Sequence, residues 1–442
     1  MWHVQVAYYV LFSVVLILAF VILPSNFFFH AASPLDEDEG EMEEELSTGK
    51  KVCRALKYTS ASVALLVILI ILGIFLPFEG SANLTGDLKA KLFQEWNAME
   101  ANEGFDLILF LMNSIMVVGM FLLVIYTGCG LSTWPCRQLS GSSGVNFNLS
   151  LLLNQIIATE ARLEELQSHE DDLNAFEREE VRRLEEELQQ LQRSKTELEE
   201  VSRTCLNQCL KCCRPFQVLF GIFGTVLLIL IVTSLTLTNI DKALHSSAKS
   251  GYVLVNGTLP NPMDMALVFT QRAFPLDYIL YLGLVIFFVM TSISGVNQIG
   301  IRFMWLPLYK IKPHATKPQA LTLMSLILIL ILVALNVILY ALAPDYTTYG
   351  SQKYQIILPS NDTEILNCDD EHAPPTECTM TRLSLLLLAF HTKAWIFGAT
   401  YYWLTWAFIV ILCIGSLYAM VQCRRRPSPD FIHSDQEELL DD

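Results

Sequence analysis

Seven apolar stretches, each about twenty residues long or longer, constrain the fold of this chain more than any other feature. A helix needs about 20 apolar residues to cross the hydrocarbon core of a bilayer, because every backbone polar group must be satisfied within the segment. The 442 residues are 53% hydrophobic and 17% charged, whereas soluble domains carry about 25% charged residues. The sequence therefore predicts an all-α polytopic membrane protein whose seven transmembrane helices cover residues 4–23, 59–78, 107–126, 216–237, 278–296, 321–342 and 394–421.

The sidedness of the spans follows from their flanks. Lys and Arg residues near the span ends are more numerous on one side, which the positive-inside rule assigns to the cytosol. This places the N-terminus in the lumen and the C-terminus in the cytosol. Three N-x-[ST] sequons, at Asn83, Asn256 and Asn361, then fall in luminal loops, and we expect them to be glycosylated. A fourth, at Asn148, falls on the cytosolic side. We interpret the short apolar run 383–390 as a luminal extension of the last span.

The one sizeable cytosolic region, residues 127–215, has the composition of a coiled coil. Val181, Leu184, Leu188, Leu191 and Leu198 fall on heptad a and d positions. A shorter pattern precedes them, and its phase breaks near residues 168–176. We therefore expect two antiparallel helices forming a hairpin, either as a solvated spacer or as a docking surface for another protein.

These features divide the chain into four regions. Residues 1–126 hold the first three spans, 127–215 the hairpin, 216–421 the other four spans, and 422–442 a cytosolic tail.

The eleven cysteines are interpreted by the side of the membrane that they face. Cys205, Cys209, Cys212 and Cys213 precede the fourth span in a reducing cytosol, where juxtamembrane position suits palmitoylation. Inert thiols are the alternative, and a zinc site ranks below both because no matching ligand pair lies nearby. On the luminal side, Cys368 and Cys378 flank a short loop, and we expect them to form a disulfide.

The C-terminal tail carries a sorting pattern. Asp435 lies four residues before the pair Leu439 and Leu440, which fits the acidic dileucine signal that clathrin adaptors bind on cytosolic tails. Such a signal serves endocytosis and lysosomal delivery alike.

The sequence offers no recognisable enzyme chemistry. It contains no G-x-x-x-x-G-K-[ST] loop for nucleotide phosphates and no G-x-S-x-G elbow. His169-Glu170 begins a zinc-protease motif, but position 173 is Leu. The apolar spans as delimited above contain no Asp, Glu, Lys or Arg, and polar residues such as Asn113, Thr291 and Ser292 favour helix packing over a transport path. The net charge of −16 and the absence of a basic surface argue against nucleic acid.

Several stretches in order along the chain together resemble one family of membrane proteins. They are Asn239-Ile-Asp-Lys-Ala-Leu-His-Ser246, Phe274-Pro-Leu-Asp-Tyr-Ile-Leu280, Asn297-Gln-Ile-Gly-Ile301, Leu308-Tyr-Lys-Ile-Lys312, Lys317-Pro-Gln-Ala-Leu321, Tyr349-Gly-Ser-Gln352, Cys368 and Cys378-Thr-Met-Thr-Arg382. The chain thus resembles the limb-region and lipocalin-interacting membrane receptor family, and in particular its lysosomal branch. Members of the family have nine transmembrane helices, so we expect Met1 to correspond to a point just before the family's third.

The resemblance implies a lysosomal membrane protein required for export of cobalamin to the cytosol. It implies cobalamin as the transported ligand and work with a half-size ABC transporter of subfamily D. We expect no covalently bound cofactor, and the cysteine and histidine spacings above predict no metal site. It leaves open whether the chain conducts cobalamin or escorts the transporter, and whether it forms a homo-oligomer. The alternative from another class is a plasma-membrane endocytic receptor for a lipocalin-like ligand, or an adaptor in clathrin-mediated endocytosis.

Overall fold

The computed structural model describes residues 2–31, 48–75, 105–139, 145–167, 214–248, 251–253, 259–303, 306–309, 318–357, 363–368, 378–381 and 395–425, with shorter pieces within 181–196 and 384–388. Its helices, numbered along the chain, are α1 (Trp2–Ile17), α2 (Leu23–Ala31), α3 (Thr48–Phe75), α4 (Phe105–Leu122), α5 (Gly128–Leu139), α6 (Val145–Gln167), α7 (Arg214–His245), α8 (Pro262–Thr270), α9 (Leu276–Ile299), α10 (Pro318–Leu342), α11 (Pro344–Thr348) and α12 (Trp395–Arg425). Two π-helical turns, Leu18–Ile22 and Leu123–Thr127, join α1 to α2 and α4 to α5.

Within the described residues, seven helices are long and apolar enough to cross a membrane, as the sequence predicts. They cover Val10–His30, Val52–Leu72, Phe110–Leu139, Pro215–His245, Leu276–Ile299, Pro318–Leu342 and Trp395–Val421. The all-α polytopic fold is therefore confirmed. The third and fourth spans run furthest beyond their predicted ends: the third continues from position 126 to Leu139, and the fourth continues from position 237 to His245.

The chain forms two compact units, one of Met1–Ser132 with Leu228–Ser416 and one of Thr133–Leu227 with Leu417–Asp442. In the first unit, apolar side chains from several spans are fully buried, among them Met120, Leu123, Phe288 and Phe408.

Backbones in the first unit approach closely at glycines. A Cβ on Gly130 would overlap the carbonyl oxygen of Thr291, and a Cβ on Gly295 would overlap that of Tyr126. Beside them the hydroxyls of Thr127 and Ser292 form a 2.8 Å hydrogen bond. Small residues that let helices pack closely are typical of membrane interiors.

The sequence did not predict two small antiparallel sheets. Strands β1 (Ile301–Phe303) and β2 (Leu306–Tyr309) follow α9. Strands β3 (Lys353–Ile357) and β4 (Thr363–Asn367) pair from Lys353 opposite Asn367 to Ile357 opposite Thr363. The segment joining β3 to β4 contains the Asn361 sequon, and Thr363, its third residue, begins β4.

The second unit contains α6 and helical pieces within residues 181–196. Val181, Leu184, Leu188 and Leu191 are half-buried, while Arg182, Arg183, Gln192 and Arg193 are exposed. This distribution fits the heptad assignment. The residues around the proposed hairpin turn, 168–180, lie outside the described part, so the hairpin remains a prediction. Of the run 383–390, the described residues are helical and buried, and those that would join it to α12 also lie outside that part.

Candidate functional site

The last turns of α7 carry buried polar and charged side chains. They are Thr238, Asn239, Asp241 and Lys242. At a rise of about 1.5 Å per residue, the 32 residues of α7 extend about 48 Å, which exceeds the roughly 30 Å of hydrocarbon in a bilayer. The end of α7 therefore reaches beyond the apolar layer, and neighbouring helix ends meet it there.

Asn261 joins three of these helix ends. It is the N-cap of α8, and its Oδ1 accepts the backbone N–H groups of Met263 (3.1 Å) and Asp264 (3.3 Å). Its Nδ2 donates to Thr238 Oγ1 on α7 (3.0 Å) and to the carbonyl of Leu342 at the end of α10 (2.9 Å). One buried amide thus caps α8, with Pro262 at the first helical position, and ties it to two membrane helices.

Asp264 fixes the next helix. Its carboxylate accepts the backbone N–H of Asp345 at 2.8 Å and that of Tyr346 at 2.7 Å. These N–H groups belong to the first turn of α11, where helices leave donors unsatisfied and favour a negative charge. Asp264 is 2% exposed, so this charge is buried against the helix end that it caps.

Asp277, in the first turn of α9, faces the same short helix. The Tyr346 hydroxyl donates to its Oδ2 at 3.4 Å, and its Oδ1 is buried with no partner among the described residues. Burial and then the Asp277 carboxylate raise the pKa of the Tyr346 phenol to about 12. Tyr346 therefore remains a neutral donor at any physiological pH.

Asp241, near the end of α7, pairs with a side chain that is partly exposed to solvent. His245 Nδ1 lies 2.8 Å from its Oδ1, with side chains 48% and 2% exposed respectively. The backbone N–H of Leu259 also donates to Oδ2, at 3.4 Å. We call Asp241, Asn261, Asp264, Asp277 and Tyr346 the helix-end cluster.

The residues that follow Cys378 are tied to the same end of the bundle. The backbone N–H of Thr381 donates to the carbonyl of Thr348 at 3.0 Å, and the Thr381 hydroxyl donates to the carbonyl of Thr347. Gln352 exchanges side-chain hydrogen bonds with the backbone of Thr379. The structure joins Cys368 to Cys378 with 5.6 Å between their Cα atoms, and both pack with Tyr354 in a small buried core.

The arrangement suits positioning and binding. Among the residues that the structure describes, no group of three or more His, Cys, Asp or Glu side chains converges as metal ligands would. The cluster instead provides hydrogen-bond acceptors and donors that hold loops and short helices against the membrane helices. Other membrane-embedded polar residues serve packing: Tyr401 donates to Asn113 Oδ1 at 2.8 Å.

The remaining predicted sites fall mostly outside the described residues. Asn83, Asn256 and Asn361, the four cysteines from Cys205 to Cys213, and Asp435 with Leu439 and Leu440 all lie there, and they remain predictions. Asn148 lies in the first turns of α6.

The helix-end cluster was missed by the sequence analysis. Each predicted span ended where its apolar run ended, so Asp241, Lys242 and Asp277 were placed in loops. The prediction that the spans contain no charged residues therefore holds only for the apolar middle part of each membrane helix. A signal was present: polar residues at helical spacing, Thr238, Asp241 and His245, directly continue the apolar run of α7.

Helices and cluster together define a multi-pass α-helical membrane protein whose loops are organised at one end of the bundle. The family of LMBR1-like membrane proteins matches residues 3–217, and relatives match nearly the whole chain. The chain belongs to this family.

Three relatives illustrate the similarity. A protein of Nematostella vectensis named probable lysosomal cobalamin transporter is 33% identical over 440 residues, covering 96% of this chain and 79% of the relative. Proteins named lysosomal cobalamin transport escort protein LMBD1 are 33% identical in Gallus gallus and 32% in Mus musculus, each covering 98% of this chain and 81% of the relative. No solved structure matches the chain.

Proposed function

We propose that this chain is a lysosomal membrane protein that serves the export of cobalamin from the lysosome to the cytosol. The observation that carries the proposal is similarity of 33% identity over 98% of the chain to a relative named for lysosomal cobalamin transport. Loss of the protein should trap labelled cobalamin in lysosomes, and re-expression of the 442-residue chain should release it. An unchanged lysosomal share after its loss would refute the proposal.

Within this role the chain acts as an escort of a half-size ABC transporter of subfamily D. Two features support this role over that of a conduit. The sequence has no phosphate-binding loop to drive transport, and the first unit packs fully buried apolar side chains such as Phe288 and Phe408 together with close backbone contacts at Gly130 and Gly295. A corrinoid is a large amide-bearing ligand, and such packing does not suit its passage.

The escort role has its own test. Purified protein in proteoliposomes should not move cobalamin alone, and detergent extracts of lysosomes should yield it together with the transporter. Cobalamin uptake by the chain alone would instead make it a conduit. No catalytic role is proposed for any residue.

Delivery to the lysosome is assigned to the cytosolic tail. Pro427 and Pro429 disfavour continuation of the last helix, and Leu439 with Leu440 end a polar segment where adaptor pockets could bind them. The double variant Leu439→Ala, Leu440→Ala should move the protein to the cell surface at unchanged abundance. The control is Glu437→Ala, which leaves Asp435 and both leucines intact. Lysosomal imaging that does not change in the double variant would place sorting in a partner.

A further inference from the structure

The nine-residue helix α8 is far too short to span a bilayer, yet its outward face is apolar. Its inward residues Met263, Asp264 and Leu267 are buried, whereas Met265 is 62% and Phe269 66% exposed. An amphipathic surface helix in water would place polar groups on that side. The exposed face of α8 therefore has the composition of a surface that meets an apolar medium.

The turn from α8 into α9 extends this surface. Phe274 is 80% exposed, and its ring meets that of Tyr278 edge-on with centroids 5.8 Å apart. From there the exposed stripe continues along α9 through Ile279, Leu282, Ile286 and Met290. We call Met265, Phe269, Phe274, Leu276 and Tyr278 the elbow surface.

One charge interrupts the elbow surface. Between residues 262 and 279, all of which the structure describes, Arg272 is the one exposed ionisable side chain other than Tyr278, because Asp264 and Asp277 are buried. Its guanidinium lies 5.3 Å from the centroid of the Phe269 ring. A cation above an aromatic ring is the arrangement expected at a membrane surface, where the ring contacts acyl chains and the cation meets phosphate.

We propose that α8 and the turn into α9 lie in the headgroup region of one leaflet, with Met265, Phe269 and Phe274 against lipid and Arg272 against lipid phosphate. The occupant is lipid because the elbow surface is continuous with the exposed apolar stripe of α9, a helix that itself crosses the bilayer. Interfacial helices with an apolar face and a basic side chain bind membranes in this way.

Lipid contact on the outer face of α8 is coupled to the helix-end cluster on its inner face. Asp264, which caps α11, precedes Met265 directly. Asp264 thus joins the lipid-facing helix α8 to the first turn of α11. This inference is independent of the cobalamin proposal.

Photo-cross-linking tests the assignment on the full chain. The residue p-benzoylphenylalanine replaces Phe269, and the protein is reconstituted in vesicles of phosphatidylcholine with a minor share of phosphatidylserine. Matched controls carry the same residue at two exposed positions outside the elbow surface, Ile365 on β4, which is 61% exposed, and Glu160 on α6. Size-exclusion chromatography verifies folding of all three proteins before irradiation.

Mass spectrometry should find several-fold more lipid adduct at position 269 than at either control. Equal lipid adducts at 269 and 365 would overturn the proposal. Irradiation is repeated in native membranes, where a dominant adduct to another protein would also overturn it. In a second arm, Arg272→Gln should reduce the share of phosphatidylserine among the adducts, whereas Arg272→Lys should not. An unchanged share with Arg272→Gln would overturn the headgroup contact of Arg272.

Discussion

The carboxylate of Asp264 accepts the backbone N–H of Tyr346 at 2.7 Å, although 82 positions separate the two residues in sequence. The contact brings the start of α8 against the start of α11 and fixes where the chain turns after α10. Since the carboxylate is buried, its hydrogen bonds are stronger than they would be in water.

Replacing Asp264 should therefore destabilise the protein. Asp264→Ala leaves the N–H groups of Asp345 and Tyr346 without their acceptor, and bonds to a charged group contribute about 1.5–3 kcal/mol each. We expect a clear drop in thermal stability in detergent, measured by tryptophan fluorescence. Glu160→Gln, an exposed position on α6, is the control. Equal melting temperatures for both variants would contradict the capping role.

The contact between Gly130 and α9 provides a second prediction. In Gly130→Ala the new Cβ would overlap the Thr291 carbonyl and lie 2.8 Å from the backbone nitrogen of Gly295. Overpacking of this kind costs about 1–3 kcal/mol or more. The yield of monodisperse protein in size-exclusion chromatography should fall sharply.

The matched control for this experiment is Gly283→Ala, also on a transmembrane helix. A Cβ at Gly283 would meet nothing within 4 Å, so its yield and melting temperature should match those of the parent protein. If the two alanine variants have the same yield and melting temperature, the close approach of the helices at Gly130 is contradicted.

The sequence predicted the apolar features of this structure but missed most of its polar contacts. The seven spans follow from hydrophobic length alone, and the pairing of Cys368 with Cys378 required only two cysteines in one loop that the sequence assigns to the lumen. The helix-end cluster could not be found in this way, because the partners of Asn261 and Asp264 lie up to 82 positions away. A window that ends at the first polar residue also hides Asp241, which continues α7 by one further turn.

The β3–β4 hairpin was missed for a different reason. Its strands are five residues each, and the sequence surrounding them is dominated by the signal of the neighbouring spans. Tyr354 and Leu366 are paired in the register and pack on the same disulfide. Alternation over so few residues gives a weak strand signal beside helices of more than twenty residues.

The disulfide should stabilise this hairpin. Breaking it with Cys378→Ser frees a loop whose ends are 10 positions apart and should cost about 2–4 kcal/mol. We expect faster proteolysis within residues 353–378, read by mass spectrometry. Cys413→Ser, at a free cysteine, should leave the cleavage rate unchanged. Peptide mapping that finds Cys368 and Cys378 as free thiols in the native protein would contradict the bond.

Glycosylation tests the proposed sidedness. We expect Asn83, Asn256 and Asn361 to carry glycans, because their loops are assigned to the lumen, and Asn148 to carry none. Each Asn→Gln variant at the first three positions should migrate faster on a gel by one glycan, and Asn148→Gln should migrate like the parent. A glycan at Asn148 would contradict the assigned orientation, because it would place that residue in the lumen.

The central claim, that this chain serves cobalamin export from lysosomes, is tested most directly by the lysosomal share of labelled cobalamin. Cells lacking the endogenous protein receive the parent chain, the Gly130→Ala variant or the Gly283→Ala variant. We predict that the parent and Gly283→Ala return cobalamin to the cytosol, while Gly130→Ala leaves it in lysosomes. A further set of these cells receives an empty vector. A lysosomal share that is the same with the parent chain as with this vector would contradict the account.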